Sequence, residues 1–257
     1  PGVVRNVVFF VLVVLHAHIT CADGSALEYV YDAAADAPLD SDWTNVLSAT
    51  DRTWAFSGGN PAASNVTSAS TLLTKAYFFN GPSASDATHA ETTSFANSDL
   101  ETSGNPVGFE IWFKPGVNDV SELAGIKQIL FETGAQVHGA SLLLNGSDVE
   151  FRSRATDSDD VTIVLAHTLT NDDLADFIQV CGIINAAADR TRLVVNGEVV
   201  AASNAVATVG GNTWESGGDG AGLANYGNAG LGAVDGTAGW NAYTGQIALG
   251  RFYSGEH

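Results

Sequence analysis

Thr191-Arg192-Leu193-Val194-Val195-Asn196-Gly197-Glu198-Val199-Val200 sets two short runs of β-branched and leucine residues on either side of an Asn-Gly dipeptide. Asn-Gly supplies the two positive φ angles of a two-residue hairpin, so antiparallel strands are expected over 191–195 and 198–201. In that hairpin Leu193 and Val195 share a face. A second dipeptide, Asn145-Gly146, lies between the runs 141–144 and 149–154 and predicts a second hairpin over 141–154.

The same grammar extends in both directions. Short apolar runs bounded by Gly, Asn, Asp and Ser predict further strands over 27–31, 53–56, 76–79, 109–114, 127–132, 161–167, 177–184 and 245–253. In Phe109-Glu110-Ile111-Trp112-Phe113 the odd positions are apolar and face a core, while Glu110 and Trp112 face the other way. Pro115-Gly116 ends that strand, and Gly81 serves the turn after Phe78-Phe79-Asn80. No long amphipathic helix is expected. Residues 118–126 and 171–176 have room for one helical turn each, with Thr170 able to cap the second. A dozen short strands without intervening helices predict an all-β fold, a two-sheet antiparallel β-sandwich or jelly roll, in one domain over 23–257.

The 257 residues are 45% hydrophobic and 15% charged, enough apolar matter for a core, which excludes disorder of the whole chain. Ten basic against 29 acidic residues give a formal charge of −19. That field repels phosphate backbones and anionic headgroups, so nucleic acid is not an expected partner, whereas calcium or a neutral sugar is. The two cysteines, Cys21 and Cys181, form no CxxC or His/Cys cluster for zinc. Cys181, inside Phe177-Ile178-Gln179-Val180-Cys181-Gly182-Ile183-Ile184, reads as a small buried hydrophobe without chemistry of its own.

Residues 1–22 carry one charge, Arg5, then the apolar run Val7–Leu15, then small residues at Thr20 and Ala22. This is the plan of a secretory signal peptide cut before Asp23, and it implies a secreted or cell-surface protein. Cleavage would remove Cys21 and leave a charge of 9 − 29 = −20. The apolar run is too short to span a hydrocarbon core about 30 Å thick, so no stable transmembrane anchor is expected here. The alternative is that the β-branched run is a buried strand of the mature fold.

Six segments together resemble the LamG-type modules of the concanavalin A-like lectin/glucanase superfamily: 76–81 (AYFFNG), 109–115 (FEIWFKP), 127–134 (KQILFETG), 176–185 with 191–200, and 243–253 (YTGQIALGRFY). The resemblance implies a concanavalin A-like jelly roll used as a secreted or cell-surface module, often with calcium at a sheet rim.

Some relatives by fold hydrolyse β-glucans with paired glutamates, and retaining chemistry needs the two carboxyls about 5–5.5 Å apart. No Glu-x-Asp-x-Glu triplet occurs, and Glu110, Glu132 and Glu150 each stand alone in their strands, so no catalytic residue is assigned. Nor do the six histidines form HExxH, and no GxSxG elbow appears. Residues 210–239 are rich in glycine and contain no basic residue, which argues against a phosphate cradle. Asp219, Asn225, Asn228 and Asp235 place oxygen donors for Ca2+ in that segment, and Trp214, Tyr226 and Trp240 flank it as aromatic platforms for a sugar ring. The bland alternative is a loop whose turns need glycine and whose aromatics close the sandwich. Asp32, Asp36, Asp40 and Asp42 are expected in a solvated loop. Asn65 and Asn145 begin N-x-Ser/Thr sequons, Asn145 being better explained by its hairpin.

These readings converge on a non-catalytic binding or adhesion module whose partner is a glycan or a surface protein, with calcium as a candidate cofactor. The alternatives are a structural subunit that self-assembles or joins neighbouring modules, and a glycoside hydrolase with an unusual acid pair.

Overall fold

The computed structural model describes residues 26–36, 42–47, 53–57, 59–81, 89–92, 106–134, 139–154, 162–185, 188, 190–205, 221–225 and 239–254. Among them the strands, in chain order, are β1 (Ala26–Asp32), β2 (Asp42–Trp43), β3 (Trp54–Ser57), β4 (Ala62–Asn65), β5 (Lys75–Asn80), β6 (His89–Thr92), β7 (Val107–Pro115), β8 (Lys127–Gly134) and β9 (Gly139–Asn145). They continue as β10 (Asp148–Arg154), β11 (Thr162–Thr168), β12 (Ile178–Asn185), β13 (Arg190–Val195), β14 (Glu198–Ser203), β15 (Ala221–Leu223), β16 (Asn241–Ala242) and β17 (Thr244–Ser254). Sheet one runs β14-β13-β12-β7-β17-β5-β4, with β1 also paired to β17. Sheet two runs β11-β10-β9-β8-β15-β6-β3-β2, with β16 against β8. Pairing is antiparallel except for the short parallel contact of β16 with β8.

The all-β sandwich expected from the alternation is the observed fold, and each of the twelve expected strands is present. The five unforeseen ones, β2, β4, β6, β15 and β16, have four residues or fewer. Ala62-Ala63-Ser64-Asn65 is exposed throughout and carries no apolar signal, so only its pairing with β5 makes it a strand.

The core lies between the sheets. Phe109, Ile111 and Phe113 of sheet one face Phe131, Leu142, Leu144 and Phe151 of sheet two, all fully buried. A bulge between Ile129 and Phe131 turns both Leu130 and Phe131 into this layer. Tyr31, Trp43, Trp54 and Phe252 extend it in edge-on and tilted contacts, such as Tyr31 on Trp54 at 5.6 Å between centroids. Each such buried side chain contributes about 1.5–3 kcal/mol relative to exposure. Phe151 packs directly onto Gly182, where an added Cβ would come within 2.2 Å of the ring.

The two Asn-Gly hairpins differ. Asn196 and Gly197 take φ of 50° and 82° between the paired Val195 and Glu198, as expected of the two-residue turn. At the other, Asn145 stays in the ladder opposite Asp148, and the turn is Gly146-Ser147, in which only Gly146 has a positive φ (61°). Asn145 is held there by its side chain, which donates to Glu150 Oε1 at 2.8 Å. Gly81 answers a close approach rather than a turn angle, since a Cβ would fall 2.3 Å from the Ala242 carbonyl oxygen.

Three expectations need correction. Cys181 is buried, but it is disulfide-bonded rather than an inert thiol. The chain's other cysteine, Cys21, lies outside the described residues. Asp36 is buried, not solvated: Oδ1 accepts from Thr44 N (3.1 Å) and Oδ2 from the Tyr77 hydroxyl (2.5 Å). Asp40 lies outside the described residues. The two expected helical turns are present, as the 3-10 turns Val120–Leu123 and Asp173–Ala175, and only the Thr170 cap is to be corrected. In the first, hydrogen bonding from the Ser121 side chain and then from Ser121 N holds the Asp119 carboxyl below the usual aspartate range, and Glu122 accepts from Asp119 N. At the second, Thr170 donates to the Asp173 carboxylate, so the acid and not the threonine supplies the acceptor.

Candidate functional site

Both sheets carry polar side chains on their outer faces, and the two faces are built differently. On sheet one, Cys181, Glu110 and Arg251 stand side by side in register across β12, β7 and β17. Glu110 is fully buried. Its Oε1 accepts from Trp112 Nε1 (2.5 Å) and Gln179 Nε2 (2.8 Å), its Oε2 accepts from the Tyr253 hydroxyl (2.5 Å), and Arg251 Nη1 lies 3.7 Å away. Burial, and then the Glu110 charge, push the Tyr253 phenol far above its ordinary value. Beside this cluster the β4–β5 connection crosses the sheet: Leu73 and Val66 pack with Trp112, Phe177 and Leu249, and Ala69 N donates to Asp176 Oδ2 (2.6 Å). The expectation that Glu110 and Trp112 turn away from the core holds, but they enter a second buried layer rather than solvent.

On sheet two the outer face leads to an open site. Gly239-Trp240 runs into β16, whose Asn241 pairs with Gln128 of β8. Trp240 is half-buried and packs on Ile129 and Leu143. Arg152 Cζ lies 5.4 Å and Lys127 Nζ 5.7 Å from its ring centroid, both within cation–π range. Glu150 aligns the guanidinium, accepting from Arg152 Nε (2.7 Å) while Oε1 takes the amide of Asn145. Lys127 is exposed and makes no ion pair with a described residue.

Separate from the Trp240 ring, which does not line it, a cleft of about 400 Å³ opens between the ends of β7, β8, β16 and β17. Val117, Leu123 and Ile126 form apolar wall, and Gln128, Asn241 and Thr244 supply the polar groups. No lining residue is charged. Gln128 is 7% exposed, and the buried Thr244 Oγ1 has no hydrogen-bond partner among the described residues.

Of the seven site residues expected from sequence, the described structure contains Trp240 and Asn225. Asn225 is half-buried just after β15. Trp214, Asp219, Tyr226, Asn228 and Asp235 lie outside the described residues. Among the described residues no three His, Cys, Asp or Glu side chains group as metal ligands. Lys127, Arg152, Gln128 and Asn241 escaped sequence reasoning because they come from three strands. The only local signal is that Asn241 follows Trp240.

The three glutamates do not assemble as a catalytic trio. Glu110 is on the outer face of sheet one, whereas register places Glu132 and Glu150 on the outer face of sheet two, with the core between. Glu150 has both oxygens occupied by Asn145 and Arg152.

No protein-family model and no curated protein sequence matches the chain. Solved structures do match over most of it. The binding domain of botulinum neurotoxin DC in complex with rat synaptotagmin II has a TM-score of 0.59 at 8% identity, covering 90% of this chain and 48% of that one. The likeness is one of fold. The same binding domain in complex with SialylT gives 0.59 at 10% identity over 91% of this chain and 49% of that one. A structure of botulinum neurotoxin type C, whose uptake into cells depends upon interaction with two ganglioside molecules, gives 0.57 at 9% over 90% and 48%. The chain spans about half the length of these structures. They are binding domains with a β-sandwich fold, and among the described residues no helix is long and apolar enough to cross a membrane.

Proposed function

We propose that the protein is a non-catalytic, extracytoplasmic binding module that recognises glycans at the sandwich end marked by Trp240. The observation that carries this reading is the half-buried indole, seated on Ile129 and Leu143 and flanked by Arg152 and Lys127. A fixed aromatic surface with a few oriented polar groups is what a pyranose needs, one apolar face to cover and hydroxyls to bond. The fold likeness to domains solved with SialylT, and to a toxin dependent on gangliosides, supports a sugar ligand. The complex with synaptotagmin keeps a surface protein as the other partner class.

Kinship with LamG-type modules is part of the same reading. The six segments that carry that resemblance become β5, β7, β8, β12 to β14 and β17, most of them neighbours in sheet one. Calcium in the 219–235 segment, through Asp219, Asn225, Asn228 and Asp235, is proposed as an aid to the rim on donor chemistry alone. The disulfide at Cys181 supports an oxidising compartment and thus export. A cut after Ala22 would discard Cys21, so a disulfide within one chain requires any processing to occur before Cys21.

A glycan array probed with the full chain, with calcium and with a chelator, tests the function. Binding that Trp240→Ala abolishes is expected. An array without signal in either condition would reject the glycan reading, and equal signal in both would reject calcium assistance.

A further inference from the structure

We propose that Asn196 is a site of spontaneous modification, at which the side-chain amide is lost as ammonia through a cyclic imide and replaced by an aspartate or isoaspartate. Water is the co-reactant. The inference goes beyond the glycan reading and does not rest on it, since the β13–β14 turn belongs to sheet one whereas Trp240 packs on Ile129 and Leu143 of sheet two.

The chain holds three Asn-Gly dipeptides, Asn80-Gly81, Asn145-Gly146 and Asn196-Gly197. Glycine has no Cβ, so its nitrogen can approach the carbonyl carbon of the preceding asparagine side chain without obstruction. That nitrogen must be free to lose its proton, and here the three sites differ. Gly81 N donates to the Tyr243 carbonyl (3.1 Å) and Gly146 N to the Ile126 carbonyl (2.7 Å). Asn145 is held further by its own amide, which donates to Glu150 Oε1 (2.8 Å). Gly197 N lies in the turn between the paired Val195 and Glu198 and donates to none of the described residues. Asn196 is exposed. Of the three dipeptides, this one alone joins an accessible side chain to an unoccupied nucleophile.

The surroundings of Asn196 favour the same step. Gln179 N donates to Asn196 Oδ1 (3.0 Å), the oxygen on which negative charge develops when a nitrogen adds to the carbonyl. Solvent base takes the Gly197 amide proton, and the nitrogen bonds to Cγ of Asn196. The Cγ–Nδ2 bond then breaks, and Nδ2 leaves as ammonia after taking one proton from water. Water opens the five-membered imide at either carbonyl, so one water is consumed for each ammonia released. The product alters the turn. Asn196 Nδ2 donates to Asp173 Oδ1 (3.4 Å), and a carboxylate in its place sets two negative charges against each other. The isoaspartate form also adds a methylene to the main chain of a two-residue turn, whose φ angles of 50° and 82° fit the hairpin as it stands. The disturbance reaches β12 at Gln179, whose side chain donates to Glu110.

Incubation of the full chain in mildly alkaline heavy-oxygen water, followed by peptide mapping, reads conversion and label uptake at each asparagine. In the folded chain Asn196 is expected to convert at least about tenfold faster than Asn80 and Asn145. In urea the three rates should agree within about threefold, because the hydrogen bonds to Tyr243 and Ile126 are gone. Asn80 or Asn145 keeping pace with Asn196 in folded protein would overturn the inference. So would a spread of about tenfold that persists in urea, since the order would then come from sequence neighbours and not from the fold. The Asn196→Asp chain should unfold at a lower urea concentration than the parent, and an equal or higher midpoint would overturn the consequence drawn for sheet one.

Discussion

The outer faces of the two sheets show opposite uses of buried polarity. Around Glu110 every group meets a partner from the same chain: one carboxylate gathers the Trp112 indole, the Gln179 amide and the Tyr253 hydroxyl, with Arg251 nearby. Around Trp240 the groups are held in place but not consumed. Arg152 is aligned by Glu150, and exposed Lys127 has no ion pair among the described residues. A saturated network stabilises a fold and has nothing left for a ligand. An exposed cation and a half-buried indole held by a few neighbours add little to stability and leave surface for a partner.

The sharpest way to break this contrast is Glu110→Ala. It strands three donors and a guanidinium, and urea unfolding should show a loss of about 3–5 kcal/mol. A loss below about 1 kcal/mol would mean that the cluster does not hold the sheet. Reduction tests the same face, because Cys181 lies next to Glu110 in register. Dithiothreitol should lower stability by about 2–4 kcal/mol, and Cys181 should resist alkylation until both reductant and denaturant are present. Native protein whose N-terminus lies after Cys21 would exclude a disulfide within the chain.

The pH dependence has a definite sign. Burial raises the Tyr253 and Tyr243 phenols above their ordinary value near 10, so the folded state retains protons that the unfolded state releases. Their contribution is complete below pH 10 and is lost as pH rises beyond it. Alkaline unfolding should therefore coincide with phenolate absorbance from these two residues, and phenolate signal from them in folded protein would contradict their burial. The smallest effects on stability are expected at the open face. Trp240→Ala should cost about 1 kcal/mol and Lys127→Ala less than about 0.5, yet the first should remove glycan binding. If instead Trp240→Ala unfolds the protein, the indole closes the sandwich, as the structural alternative holds.

Legibility in the sequence followed local physics. Strands of six residues or more announce themselves by alternation, and β7 shows why the reading of its faces went only halfway. Phe109, Ile111 and Phe113 mark the inner face, but nothing near Glu110 tells that the outer face is buried as well, because the groups that close it come from β12 and β17. Trp240 was legible as an aromatic near a glycine-rich segment. Its companions were not, since Lys127 and Arg152 meet it only through the registers of β8, β9 and β10.

The sequence by itself determined the all-β class, most of the strands, both hairpins and the acidic character, because each rests on period-two burial, turn angles or charge within a few residues. Only tertiary structure decided which polar residues are partnered and which are left waiting at the end of the sandwich. That distinction depends on neighbours far along the chain, and no local pattern encodes them.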